Sequence, residues 1–296
     1  MKITLNDVAF GYGKRRRNHP AGDAPILKDI SLTIEQGEML ALAGKSGSGK
    51  STLLQLIKGF MAPSAGQIRL GDIDPHAERR QACFDRIGFI FQYPEHQLFA
   101  ATVFDDIAFG LRHLRLDERL KTEKVRQAME AVQLDYATFG KRSPFELSGG
   151  EKRRVAIAGV VVLEPEVLIL DEPTAGLDLQ SRSALFQLLH RLNRQESLTV
   201  IWVSHQLEEI ARHASRLICL RSGTIQADGA PDALFADPGL RGTFGWEEPP
   251  ALAVARLLRA AGHPSTAWLT PQQAADAIIR LRNRGARGAN ALREPS

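Results

Sequence analysis

The sequence predicts an α/β fold with a mainly parallel sheet at its centre, and three stretches predict it. Met39-Leu40-Ala41-Leu42-Ala43 is a short apolar strand that runs through a Gly-rich loop into a helix opened by Leu53-Leu54-Gln55-Leu56-Ile57. Val167-Leu168-Ile169-Leu170 is a second buried strand, and it ends on two carboxylates, Asp171 and Glu172. Between them, residues 103–134 turn helical, with Val125, Ala128, Met129 and Val132 forming one buried stripe. That helical run lies between strand-like segments, so a separate lobe inserted into the sheet domain is expected.

Taken in order, Met1 to Phe10 reads as a strand, followed by Tyr12 between two glycines. Residues 14 to 25 read as a loop, basic and then rich in Gly, Pro and Ala. Ile26 to Ile34 alternates apolar and polar positions, the mark of a half-exposed strand. The chain therefore opens on antiparallel-type strands. Gly66 to Gly71 is a further hairpin strand, and Ile87 to Phe91 is a core strand that ends in Gln92, with Pro94 breaking it. Ser148-Gly149-Gly150-Glu151 opens a helix over 151–163 that Pro165 stops. Gly176-Leu177-Asp178 is a tight turn before a helix bearing Leu185, Leu188, Leu189 and Leu192. Leu198 to Val203 is another buried strand, ending in Ser204-His205, and residues 217–220 and 224–227 form a last hairpin. The main domain is expected to close near residue 236. An appendage of short helices is expected over 237–282, from Ala251 to Ala261 and from Thr270 onward, and residues 283–296 read as a disordered tail.

Composition sets limits on function. The 296 residues suffice for one large domain and an appendage, and 44% hydrophobic with 24% charged residues is a globular composition. The net charge of +4 is mild, and much of the basic excess sits in Lys14-Arg15-Arg16-Arg17 and in the tail from Arg280 to Arg293. Such runs suit a solvated loop or an anionic membrane face, and no nucleic-acid partner is expected. Cys83 and Cys219 are too far apart for a zinc spacing or a disulfide framework, which points to a reducing compartment. The N-terminus lacks a signal-peptide pattern and no run of 18 apolar residues exists, so the chain itself is not expected to span a membrane, though it can sit on one.

The chemistry concentrates at the ends of the strands. Gly44-Lys45-Ser46-Gly47-Ser48-Gly49-Lys50-Ser51-Thr52 is G-x-x-x-x-G-K-[ST] in the strand–loop–helix context that this motif requires. Its glycines let backbone N–H groups close around phosphate oxygens, and the helix N-terminus adds partial positive charge. Lys50 is expected to reach the β- and γ-phosphates of a bound ATP and Ser51 to ligate Mg²⁺. Asp171 is expected to hold the Mg²⁺ shell and Glu172 to take or polarise the proton of an attacking water. Gln92 can orient a water or touch Mg²⁺, or it can be a polar residue at an ordinary strand end. His205, at a strand end on the same edge, is expected to contact the γ-phosphate. Ser148 to Glu151 fits a capping box, and its bare Gly149-Gly150 also fits an anion site at a helix N-terminus.

These motifs in this order resemble the ATP-binding subunit of an ABC transporter over residues 1 to about 236. The resemblance implies a P-loop NTPase of the ABC ATPase type. Its parts would be an antiparallel β subdomain, a RecA-like core and a helical subdomain at about 92–165. It further implies that Tyr12 stacks on adenine, that Gln92 is the Q-loop residue, that 147–151 is the signature motif and that Asp178 lies in the D-loop. A narrower resemblance rests on Phe91-Gln92-Tyr93-Pro94-Glu95-His96-Gln97-Leu98-Phe99, on Asp106-Ile107-Ala108-Phe109-Gly110 and on Lys152-Arg153-Arg154-Val155-Ala156-Ile157-Ala158-Gly159. It is similar to the energy-coupling factor transporter ATPases, the second of their two isoforms. That resemblance implies a second ATPase subunit, a transmembrane coupling protein and a membrane substrate-binding subunit for a vitamin or transition-metal ion. The chain would be a peripheral protein on the cytoplasmic membrane face. Three features depart from the pattern: Glu151 in place of Gln, Leu179 in place of Pro, and a longer basic loop at 14–24.

The predicted arrangement is a head-to-tail pair, with the phosphate loop of one subunit facing Ser148 to Gly150 of the other. Tyr93, Leu98 and Phe99 are candidates for an apolar patch that meets the membrane partner, or for packing inside the helical lobe. An exporter ATPase would share the catalytic motifs, but the segment 91–110 argues against it. A soluble ABC ATPase of DNA repair would need a long coiled coil for which 92–165 leaves no room.

Overall fold

The computed structural model describes residues 1–12, 25–78, 80–260, 262 and 274–280. The expected basic loop at 14–24, the residues 270–273 at the start of the last helix and the tail at 283–296 lie outside the described residues. Contacts group the chain into two units, one of 1–205 with 218–226 and one of 206–217 with 227–296.

In the first unit, β1 (Ile3–Phe10) pairs antiparallel with β2 (Leu27–Ile34) and with β4 (Ala65–Leu70), giving the three-stranded order β2-β1-β4. The alternation expected from Ile26 onward shifts by one residue. Leu27 is buried in place of Ile26, because the β1–β2 register slips between Leu5 and Phe10. Asp7 and Asp29 sit at that slip with left-handed φ values of 48° and 50°. The bulge is held by the Asp7 N–H donating to Ser31 Oγ at 2.9 Å and Ser31 Oγ donating to Asp7 Oδ1 at 2.8 Å. An inserted residue flips the inward face, which a plain period-2 count does not detect.

The central sheet has six strands in the order β5-β6-β7-β3-β8-β9. They are β3 (Met39–Ala43), β5 (Ile87–Ile90), β6 (Val167–Leu170), β7 (Thr199–Val203), β8 (Arg216–Arg221) and β9 (Thr224–Gly229). β5–β6, β6–β7 and β7–β3 are parallel, and every residue of β3, β5, β6 and β7 is buried. A strand covered on both faces reads as a continuous apolar run, which is why these four are visible in the sequence. The core beneath them joins both sheets and includes Leu40, Leu42, Ile87, Val167, Ile169 and Ile201.

Helix α1 (Lys50–Lys58) leaves β3 through the Gly-rich loop. Between β5 and β6 the chain forms α2 (Val103–Ala108), α3 (Glu118–Ala131), α4 (Tyr136–Phe139) and α5 (Gly149–Val161). α2 and α3 pack on α5, and the stripe Val125, Ala128, Met129 and Val132 is buried as expected. Thr102, Asp117 and Asp135 cap α2, α3 and α4 with side-chain oxygens, the sequence choice that stops each helix sharply at its start. α6 (Leu179–Glu196) buries Leu185, Phe186, Leu188, Leu189 and Leu192. Phe186 meets Trp202 of β7 edge-on, with ring centroids 5.6 Å apart.

The second unit contains α7 (Leu207–His213), α8 (Pro231–Ala236), α9 (Pro238–Phe244), α10 (Pro250–Ala260) and α11 at 274–280. Ala251, Ala255 and Ala274 form a small core of their own, and Trp246 packs on Phe235 and Phe244. Among the described residues no helix is long and apolar enough to cross a membrane.

Met129 is fully buried, so Met129→Ala is expected to destabilise the helical lobe by roughly 2–5 kcal/mol. Hydrogen exchange over residues 118–131 measures the loss, and unchanged protection would contradict the packing described.

Candidate functional site

Parallel pairing sets where the strands end. Ile90 of β5 is level with Leu170 of β6, Leu170 with Trp202 of β7, and Leu42 of β3 with Val203. The residues just past each strand therefore emerge on one edge: Gln92 after β5, Asp171 and Glu172 after β6, Ser204 and His205 after β7, and Gly44 after β3. This is the edge where open α/β sheets hold ligands.

The loop 44–52 divides by burial. Gly44, Ser48, Gly49, Lys50 and Thr52 face inward, whereas Lys45, Ser46, Gly47 and Ser51 are exposed. Gly49 caps α1 at φ 103°, and a Cβ there would lie 2.6 Å from the Leu27 side chain, so only glycine fits. No side chain caps α1, which leaves its first N–H groups for an external acceptor. Lys50 Nζ donates to the carbonyls of Gly44 at 2.8 Å and Lys45 at 3.1 Å, folding the ammonium back over the loop. Burial pushes the Lys50 ammonium below the usual lysine range, against the nearby charges of Glu172 and Asp171.

Across the loop stand the carboxylates. Burial raises the Asp171 carboxyl, countered by a hydrogen bond from Ser51; the Glu172 charge raises it further, and Lys50 and His205 oppose. Glu172 has a left-handed φ of 49°. Both of its oxygens are engaged: Gln92 Nε2 donates to Oε2 at 3.1 Å, and His205 Nε2 lies 3.1 Å from Oε1. The structure thus brings Gln92, Glu172 and His205 into one cluster, beside Lys50, Ser51 and Asp171.

Tyr12 is 62% exposed and packs edge-on against Phe10 at 5.1 Å. Ser148, Gly149, Gly150 and Asp178 line a separate cavity of about 550 Å³, to which, among the described residues, the loop 44–52 contributes nothing. The capping box is formed in full: the Ser148 N–H and hydroxyl both donate to Glu151 Oε2 at 2.8 Å, and the Glu151 N–H donates to Ser148 Oγ at 3.4 Å. Those bonds hold the Glu151 carboxyl below its usual range. The helix starts at Gly149, so both glycines are helical, and a Cβ at either position would meet nothing within 4 Å. Asp178 caps α6 through the Ser181 N–H at 2.8 Å.

The helix 151–163 expected from the sequence begins two residues early, and the strand 87–91 ends at Ile90, leaving Phe91 41% exposed. Of the three residues proposed for an apolar patch, Tyr93 and Phe99 are exposed and Leu98 is buried, so Leu98 belongs to the packing of the lobe. Two residues of this region carried no expectation of their own. Arg153 and Glu95 form a bidentate ion pair, side chains 5% and 18% exposed. An arginine in an otherwise apolar helix face was the available signal.

A family description, ABC transporter, matches residues 27–175. The energy-coupling factor transporter ATP-binding protein EcfA2 of Clostridium tetani is 41% identical over 87% of this chain and 90% of its own length. The protein of the same name from Caldanaerobacter subterraneus subsp. tengcongensis is 41% identical over 95% of this chain and 97% of its own. This chain belongs to the energy-coupling factor ATP-binding proteins of the ABC transporter family. Among solved structures, cbiO1 from Clostridium perfringens, described as part of the ABC transporter complex cbiONQ, superposes with a TM-score of 0.72 at 30% identity. That match covers 87% of this chain and 98% of cbiO1. An ATP-binding cassette solved as a dimer in a post-hydrolysis state, with ADP and Pi bound, superposes with a TM-score of 0.65 at 27% identity. It covers 77% of this chain and 98% of the cassette. The family ATPase is thus an enzyme of the fold expected, with an antiparallel sheet beside a mainly parallel core.

Removing the Lys50 ammonium is expected to abolish tight nucleotide binding. Titration of Lys50→Ala with a fluorescent ATP analogue checks this, and undiminished affinity would count against a phosphate contact.

Proposed function

We propose that this chain binds and hydrolyses ATP as one half of a head-to-tail ATPase pair that drives an energy-coupling factor type importer. The observation that carries the reading is the Glu172 cluster. Glu172 accepts a hydrogen bond from Gln92 and meets His205, and it stands beside the carboxylate that pairs with Ser51. A water placed against Glu172 would give its proton to that carboxylate as its oxygen bonds the γ-phosphorus, and ADP would leave with the electrons of the broken P–O bond. Lys50 would balance charge on the β- and γ-phosphates, the loop 44–52 would cradle them, His205 would touch the γ-phosphate and Tyr12 would stack on adenine.

The oxygen donors Ser51, Asp171 and Gln92 suit Mg²⁺. When bound, Mg²⁺ would neutralise phosphate charge.

The pairing rests on the first turn of α5. Gly149 and Gly150 each cost a helix roughly 1 kcal/mol relative to Ala, and among the described residues nothing lies within 4 Å of where a Cβ at either position would be. A phosphate delivered by the partner's loop would use that space, together with Ser148 and the D-loop residue Asp178. A related cassette solved as a dimer with ADP and Pi bound supports pairing of this kind. A transmembrane coupling protein would meet the exposed Tyr93 and Phe99. It would join a membrane subunit that selects a vitamin or transition-metal ion, as the cbiONQ assembly named for cbiO1 suggests. The chain would then lie peripherally on the cytoplasmic membrane face. Residues 1–236 would be the ATPase domain, with its helical lobe at 92–165, and 237–282 its appendage.

Two measurements test the scheme. Glu172→Gln is expected to cut turnover by about 10² to 10⁴ while ATP still binds; near-normal hydrolysis would reject the assignment of the base. Gly150→Ala is expected to stabilise the isolated protein slightly and still abolish ATP-dependent pairing in sedimentation experiments. Intact pairing would remove the reason given for the glycines.

A further inference from the structure

The Arg153 guanidinium joins three segments that the ATPase chemistry needs in fixed relation. Nε and Nη2 donate to the two oxygens of Glu95, at 3.0 Å and 2.8 Å. Nη1 donates to the carbonyl of Pro173 at 2.7 Å, and both terminal nitrogens lie within 3.5 Å of the carbonyl of Ala175. The planar fork is filled on both sides, a geometry that lysine cannot copy. Arg153 itself sits in α5, the helix begun by Ser148, Gly149 and Gly150, and only 4% of it is exposed.

Each partner is next to a catalytic candidate. Glu95 lies in the turn Pro94–Gln97, directly after Gln92 and Tyr93. Pro173 directly follows Glu172, whose φ of 49° is a conformation a glutamate holds only when its surroundings enforce it. The Pro173 carbonyl held by Arg153 is one peptide away from that strained residue. Tyr93 is likewise left-handed, at φ 54°, and its ring lies 3.3 Å from the place a Cβ on Gly176 would take. The segments 92–95 and 172–176 are therefore held together twice, by the Gln92–Glu172 hydrogen bond and by the Arg153 clamp.

We propose that Arg153 is a positioning residue: through Glu95 on one side and the Pro173 and Ala175 carbonyls on the other, it makes the angle of the Glu172 carboxylate depend on the turn 94–97. A displacement of that turn then reaches Glu172 through two short, polar links, with no need for a longer path. The inference rests on Glu172 being the base, and its test is separate from the test of that role.

A purely structural ion pair and a positioning clamp differ in one measurable way. Removing one member of a buried pair leaves an unpaired charge and destabilises, whereas replacing both by neutral groups of similar size restores stability. Glu95→Gln and Arg153→Met are each expected to lower Tm. The double variant is expected to recover only the part of Tm lost to the unpaired charge, because the Pro173 and Ala175 carbonyls still lack the donor that Arg153 supplied. Turnover of ATP, measured well below Tm, is expected to stay at least tenfold low in Glu95→Gln and in the double variant, with KM for ATP within about twofold of the parent. Arg153→Lys is expected to restore much of the Tm and little of the kcat. Recovery of kcat together with Tm in the double variant would make the pair structural only and overturn the proposal. So would parental kcat in Glu95→Gln. Normal hydrolysis in Glu172→Gln alone would fault the choice of base instead, since the clamp variants do not alter that side chain.

Discussion

Parallel register is the constraint on which the site depends. Four buried strands run side by side in the order β5-β6-β7-β3, and their ends are level because Ile90, Leu170 and Trp202 share a row and Leu42 is paired with Val203. The Asp171 N–H donates to the Ile90 carbonyl at 3.0 Å and the Ser204 N–H to that of Leu42 at 3.3 Å, so pairing continues to the last residue before the chemistry begins. Slipping one strand by a residue would draw its terminal polar group into the covered interior or push an apolar residue out to the edge. Burial energy thus fixes the spacing of the strand-end groups, and the contacts among Gln92, Glu172 and His205 are made within that spacing.

On that edge the polar groups are held by unlike means. Lys50 is bonded by the loop's own carbonyls, and Glu172 by side chains from two other strand ends. Glu172 and Tyr93 both occupy left-handed backbone positions, where strain is tolerated only if neighbours over-determine it. The Arg153 fork and Gly176 under the Tyr93 ring are those neighbours. Strain and clamp belong together: a backbone held in a left-handed conformation needs a rigid support beside it.

How much of this is legible in the sequence depends on the kind of signal. Contiguous signals can be read directly. Apolar runs of four or five residues mark β3, β6 and β7, and the Gly-Lys-Ser turn marks its own context. The ends of those runs place Gln92, Asp171, Glu172 and His205 on one edge, and the structure joins three of the four by hydrogen bonds or close contact. Signals that depend on a partner far along the chain are not legible. The bulge at Asp7 and Asp29 hides in an apparently regular alternation, because Ser31 supports it from the neighbouring strand. Arg153 and Glu95 are 58 positions apart, and neither periodicity nor composition pairs them. Leu98 looks like its exposed neighbours and is buried, since a 3₁₀ turn from Pro94 to Gln97 redirects the chain just before it.

The start of α5 shows how one short stretch meets two opposed demands. A surface that admits a phosphate must be bare, and bare glycines weaken a helix N-terminus. Ser148 and Glu151 offset that weakness reciprocally, each bonding the other's backbone N–H. The same capping box places a carboxylate beside the two bare glycines, and the Ser148 bonds lower its pKa. Arg154 and Arg142 lie close enough to lower its pKa further, so the local field is not that of a lone negative charge. The arginines of the next turn and of the preceding loop thus offset part of the charge that Glu151 adds. The cap keeps the helix, the glycines keep its first turn bare, and the flanking cations offset the charge that the cap brings.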